Sequence, residues 1–130
     1  TIFRDRMQAR VEGSGKQLGW SDDHVGPLPD YGPRDVLQVF RIMQEAVTNA
    51  LKHSTGDRID VQLSAAPDPA MALRIIIADN GSGMGAANPR GRGMANMAAR
   101  AESIGASFST ESDAGGVRII LDLPPGKPID

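Results

Sequence analysis

The chain has 130 residues, 40% of them hydrophobic and only 4% aromatic, so it can bury one sizeable core built from Val, Ile, Leu, Met and Ala. With 14 basic against 16 acidic residues the net charge is -2, which argues against a generally basic nucleic-acid surface but allows a local basic cluster around a small anion. The absence of cysteine excludes a disulfide framework and thiolate metal sites, and a cytosolic compartment fits.

No apolar run approaches the roughly 18 residues that a membrane span needs. The first stretch, TIFRDRMQARVEG, carries charge throughout and does not resemble a signal peptide. One domain over residues 1–130 is expected, as a piece of a longer protein.

In chain order, residues 1–13 predict a short helix with Ile2, Phe3, Met7 and Val11 on one side, stopped by Gly13 and Gly15. KQLGWSD (16–22) predicts a strand with Leu18 and Trp20 on one face, and DDHVGPLPDYGPRD a loop. A long helix follows from Arg34 to His53. Val36, Phe40, Met43, Val47, Ala50 and Leu51 form its core stripe, with Asp35 as N-cap.

RIDVQLSA (58–65) alternates as a half-buried strand, and ALRIIIAD (72–79) is apolar enough for a central one, with APDPAM as the turn between them. The glycine-rich segment 80–93 leads into a helix from Met94 to Ile104, capped by Gly105. ASFSTES and GVRIILDL predict a final hairpin, and residues 124–130 a tail. The economical architecture is α+β: a two-layer sandwich of helices over a mixed, largely antiparallel sheet.

Glu45, Asn49 and Lys52 share one side of the long helix, opposite its apolar stripe, with His53 at the edge. This is either an ordinary solvated face or a site offering two oxygens to magnesium and a point charge to phosphate. Glu45 can also orient an attacking group.

In DNGSGMG (79–85), Asp79 either starts a turn or accepts a hydrogen bond from an exocyclic amino group such as adenine's. Gly81 and Gly83 leave space for a flat ring against backbone. GRG (91–93) just ahead of a helix offers free N–H groups to phosphate. Arg92 reaches the same anion or points to solvent. Neither GxxxxGK[ST] nor GxGxxG is present.

Taken together, RIMQEAVTNALKHS, DNGSGMG and GRGMANMAARAESIGASFSTES resemble the N box, G1 box and G2 region of the ATP-binding catalytic domain of sensor histidine kinases. The likeness is to the NarX/DesK type, within the superfamily of gyrase, Hsp90 and MutL. It covers roughly residues 34–125, ending on GGVRIILDLP.

The resemblance implies ATP and Mg2+ as cofactors. It implies Asn49 as the magnesium ligand with Glu45 beside it, and Lys52 and His53 on the phosphate side. Asp79 would meet the adenine amino group in a pocket shaped by Gly81, Gly83 and Met84. Gly91, Arg92, Gly93 and Met94 would border the triphosphate under a lid. Two departures stand out: Val117 replaces a common threonine, and the lid between Gly85 and Gly91 is short.

The family phosphorylates a histidine on a preceding dimerisation helix. The only histidines here, His24 in a proline-rich loop and His53 on the ATP-side helix, do not suit that role. The resemblance therefore implies a C-terminal kinase fragment that is monomeric and does not autophosphorylate alone. Its partners would be the parent's dimerisation and phosphoacceptor helices and a response regulator, with no nucleic acid. As a domain it would be cytoplasmic, whether or not the parent is anchored in a membrane. Two alternatives stand beside this reading: an anti-sigma-factor serine kinase of the same superfamily, and a non-catalytic nucleotide-binding module.

Overall fold

The structure is a computed structural model that describes residues 2–23, 31–81 and 91–126. Expectations for His24, Gly83, Met84, Gly85 and Arg90, and for the end of the tail, fall outside the described residues.

The elements run α1 (Ile2–Gly13), β1 (Gln17–Asp22), α2 (Pro33–His53), β2 (Arg58–Ala65), β3 (Leu73–Asp79), α3 (Gly91–Ser103), β4 (Ser107–Asp113) and β5 (Gly116–Leu123). The five strands form one sheet in the order β1-β2-β3-β5-β4, parallel between β1 and β2 and antiparallel elsewhere. A parallel pair needs a crossover, and α2 supplies it. The mixed, largely antiparallel sheet under helices is the expected architecture.

The helices cover one face of the sheet. Ile59 and Val61, Ile75 and Ile77, and Ile119, Leu121 and Leu123 alternate onto that face. They meet Met7 and Val11 of α1, Ile42, Met43, Ala46 and Val47 of α2, and Met97 and Ala101 of α3. Gly105 at φ 72° ends α3, where Ala106 donates to the Ala101 carbonyl at 2.9 Å.

Three local expectations are corrected. The N-cap of α2 is Gly32, with Pro33 at the first helical position, so Asp35 sits inside the first turn and complements the helix dipole instead. Phe40 leaves the core and is 37% exposed, because its ring stacks on Phe3 of α1 at a centroid distance of 4.2 Å. The third helix begins at Gly91, three residues early. Glycine is a poor helix former, but two positions on, at Gly93, the close approach of this turn to α2 selects it.

On the other sheet face Ile76 pairs with Ile120 beside a bidentate ion pair, Arg74 Nε to Asp122 Oδ1 at 2.8 Å and Nη2 to Oδ2 at 2.9 Å. Asp122 is buried, and the carboxylate holds the Arg74 guanidinium above its ordinary pKa. Arg74→Ala is expected to cost about 2 kcal/mol in urea unfolding, since it strands a buried carboxylate. Arg58→Ala, whose partner Asp60 is half exposed, should cost no more than about 0.5 kcal/mol in the same measurement.

Candidate functional site

The C-terminal half of α2 is buried on two sides, by the sheet and by α3. Asn49 is only 4% exposed, although it lies away from the main apolar stripe. The helix face expected opposite the core is therefore not a solvated one at this position. What covers it is the first turn of α3. A Cβ at Gly93 would lie 2.5 Å from Asn49 Nδ2, 2.8 Å from Asn49 Oδ1 and 2.9 Å from Glu45 Oε1. Glycine at 93 is thus a condition for this contact.

The Asn49 Nδ2 is buried without a hydrogen-bond partner among the described residues. An orphaned buried amide costs about 1–3 kcal/mol. Rotating the amide exchanges Nδ2 and Oδ1, so the position offers a donor to a phosphate oxygen or an acceptor to a hard cation. The N–H groups of the first turn of α3, which have no partner within the helix, and the Glu45 carboxylate border the same space. An amide and a carboxylate are donors that fit magnesium, which takes its remaining oxygens from water and phosphate.

Asp79 closes β3, paired with Ile59, and is 8% exposed. Its Oδ1 accepts the N–H of Gly81 at 3.1 Å and of Val117 at 3.3 Å. Two backbone donors aim the carboxylate, a group that accepts hydrogen bonds from N–H and amino donors alike. Gly116, at φ 133°, is packed so tightly on Asp79 that a Cβ would overlap the Asp79 carbonyl oxygen.

The two halves meet at the exit of α2. A Cβ on Gly81 would lie 2.5 Å from Ser54 Oγ and 2.9 Å from Thr55 N, so the turn after Asp79 rests on the residues that leave the helix. Asn49 and Ser54 are five positions apart along α2, about 7.5 Å at the helical rise. The amide and the acid that the sequence separates by thirty positions are brought to one end of one helix.

A polar network surrounds this junction. Asn80 Oδ1 accepts the Arg58 N–H at 2.9 Å, and Asn80 Nδ2 donates to Asp57 Oδ1 at 2.8 Å. Lys16 Nζ donates to the Gly56 carbonyl and to the Ser54 carbonyl. Sequence reasoning missed Asn80, Gly116, Lys16 and the Val117 N–H. Only the GG pair ahead of the last strand carried a signal for any of them.

Other expected residues stand apart. Lys52 and His53 are exposed in the last turn of α2 and make no hydrogen bond or ion pair among the described residues. Met94 packs on the edge of the hydrophobic core, while Gly91 and Arg92 are described only as backbone of the first turn of α3. Val117, expected as a departure that removes a hydroxyl, is fully buried, and it is its N–H that touches Asp79. Two apolar grooves of about 420 and 620 Å³ lie elsewhere, between α1, α2 and the sheet. Phe3 and Phe40 line both, and none of Glu45, Asn49 or Asp79 lines either.

A model of the histidine kinase-, DNA gyrase B- and HSP90-like ATPase family matches residues 34–127, from the start of α2 past the end of β5. The chain belongs to this family. Sensor protein VraS of Staphylococcus aureus (strain COL) is 38% identical over 92 residues, which is 68% of this chain and 26% of the relative. Sensor protein VraS of Staphylococcus epidermidis (strain ATCC 12228 / FDA PCI 1200) matches to the same extent. The chain thus spans 26% of the length of the curated relatives it matches.

The ATP binding domain of PrrB from Mycobacterium tuberculosis shares the fold, with a TM-score of 0.67 and 24% identity over 98% of this chain and 94% of that one. The histidine kinase domain of the blue-light activated histidine kinase from Erythrobacter litoralis EL346 also shares it. There the TM-score is 0.70 at 19% identity, over 94% of this chain and 62% of that one. Within the ATPase family, the chain is thus similar in sequence to part of a sensor protein and in fold to histidine kinase domains. No helix among the described residues is long and apolar enough to cross a membrane.

Proposed function

We propose that this domain binds ATP with magnesium between α2, the β3 end and α3, and presents the γ-phosphoryl to a histidine on a separate helix of the parent protein. The observation that carries this is the orphaned, buried Asn49 amide facing the N-terminal turn of α3 at Gly93. That amide stands at the same end of α2 as Asp79.

In this reading Asp79 accepts from the adenine amino group, and Gly81, with Gly83 and Met84 after it, lets the ring lie against backbone. Asn49 and Glu45 hold the metal or its waters, and bound magnesium supplies charge neutralisation at the phosphate oxygens. The N–H groups of Gly91, Arg92, Gly93 and Met94, together with Lys52 and His53, face the triphosphate.

Transfer forms a bond from an imidazole nitrogen to the γ-phosphorus and breaks the bond to the bridging oxygen, which leaves with ADP. A neutral imidazole already carries the attacking lone pair, so the domain's share is to position and to stabilise charge. Glu45 orients the imidazole or a water. The acceptor histidine, the dimer contact and the response regulator belong to the rest of the parent protein. Alone, the domain holds ATP without autophosphorylating.

Calorimetric titration of ATP with and without magnesium tests the site. Wild type should bind more tightly with the metal, and Asn49→Ala should lose about tenfold and with it the metal dependence, as removal of one ligating group implies. Magnesium-independent binding that Asn49→Ala leaves unchanged would remove the metal from the nucleotide site and favour a non-catalytic module.

A further inference from the structure

Two turns interleave at the site, the exit of α2 (Ser54 to Asp57) and the end of β3 (Asp79 to Gly81). They touch with no Cβ between them. A side chain on Gly56 would overlap Asn80 Oδ1 and lie 2.7 Å from the Gly81 nitrogen, and one on Gly81 would lie 2.5 Å from Ser54 Oγ. Contact this close needs something to hold it, and glycine turns supply none through side-chain packing.

The hold is polar and passes through one side chain. Asn80 accepts from the Arg58 N–H with its oxygen and donates to the Asp57 carboxylate with its nitrogen, while its own N–H reaches the Arg58 carbonyl at 3.3 Å. On the far side Lys16, ahead of β1, grips the Ser54 and Gly56 carbonyls. The α2 exit is pinned between β1 and Asn80.

We propose that Asn80 is a positioning residue for the nucleotide, latching the turn that carries Asp79 and Gly81 onto the α2 exit while its own amide is spent on Asp57 and Arg58. This rests on the reading of Asp79 as the adenine acceptor. The Gly81 N–H that aims the Asp79 carboxylate directly follows Asn80, so a rotation at Asn80 withdraws that donor. Releasing the latch therefore weakens ATP binding while leaving the catalytic groups on α2 in place.

Charge supports the same geometry. The hydrogen bond from Asn80, then one from backbone, hold the Asp57 carboxyl below its usual range against desolvation, with Lys16 and Arg58 as nearby cations acting the same way as the hydrogen bonds. Arg58 is itself shared with Asp60 at 2.9 Å. Asp57 is thus ionised from weakly acid pH upward, and the wild-type latch is insensitive to pH there.

The test is ATP–magnesium calorimetry on the wild-type chain and on Asn80→Ala, Asn80→Asp, Asp57→Asn and the exchange Asn80→Asp with Asp57→Asn. Asp79→Asn serves as the control for the site, and melting temperatures are measured in parallel. Asn80→Ala should lose about tenfold in affinity, the worth of a charge-assisted hydrogen bond. Asn80→Asp sets two carboxylates against each other. It should bind more weakly still near neutral pH and recover as the pH falls toward about 5, where the pair takes up a proton. The exchange keeps an acceptor for Arg58 and an amide–carboxylate bond with its ends swapped, and should return to within about threefold of wild type.

Folded Asn80 variants that bind ATP as wild type does, whatever their melting temperatures, would overturn the latch. So would an exchange variant no better than Asn80→Asp, and this arm decides the matter if Asn80→Ala fails to fold. If wild type binds ATP and Asp79→Asn alone loses it, the latch falls and the adenine site stands. If wild type and Asp79→Asn bind alike, the reading of Asp79 falls and takes the latch with it.

Discussion

Gly116→Ala should lower the melting temperature by about 10 °C, corresponding to roughly 3 kcal/mol in a domain of this size. Gly116 opens β5 at φ 133°, a conformation costly for any residue with a side chain. The added methyl would overlap the Asp79 carbonyl oxygen and sit 2.8 Å from the carbonyl carbon, contacts with backbone that no rotamer relieves. Asp79 cannot step aside, because it is paired with Ile59 in β2. Nor can Gly116, paired with Asp113 across the last hairpin. Either β5 or β3 must leave its register. Scanning calorimetry of Gly116→Ala beside Gly115→Ala checks this. Gly115 is exposed in the same turn, and the nearest atom to its added Cβ is a side-chain oxygen at 3.2 Å, so its substitution should cost under about 1 kcal/mol. Equal melting temperatures for the two would show that the contact with Asp79 is not rigid.

Asp79→Asn is expected to weaken ATP binding by about 100-fold with a much smaller change in stability, as follows when a site built to accept a hydrogen bond presents a donor instead. The amide oxygen of asparagine can still take the N–H groups of Gly81 and Val117, so the turn survives. The new NH2 then faces the amino group of adenine, donor against donor. Guanine carries a carbonyl where adenine carries that amino group, so the preference for ATP over GTP should narrow or vanish. Competition titrations with both nucleotides on both proteins measure this. An unchanged ATP:GTP ratio would mean that Asp79 only shapes the turn, the other role its sequence position allows.

The elements themselves were legible because each is a local pattern. Period-two alternation in RIDVQLSA and the apolar run LRIIIAD translate directly into β2 and β3, and the glycine after ARAESI into a helix cap at positive φ. The order of RIMQEAVTNALKHS, DNGSGMG and GRGMANM was enough to reach the family. Misreadings arose where a local rule competed with a distant contact. Asp35 has the chemistry of an N-cap, yet Pro33 at the first helical position moves the start. Phe40 fits the core stripe, yet Phe3 draws it to the edge.

The sequence by itself therefore determined the strands, the helices and the identities of Asn49 and Asp79 as residues to watch, since periodicity and motif order are properties of neighbours along the chain. Tertiary structure decided that Asn49 is buried beneath Gly93, that the Val117 N–H and Gly116 seat Asp79, and that Asn80 reaches Asp57. These contacts join positions 23 to 44 residues apart. Only closing the sheet and laying α3 over α2 brings them within hydrogen-bonding or van der Waals reach, and no local periodicity encodes that closure.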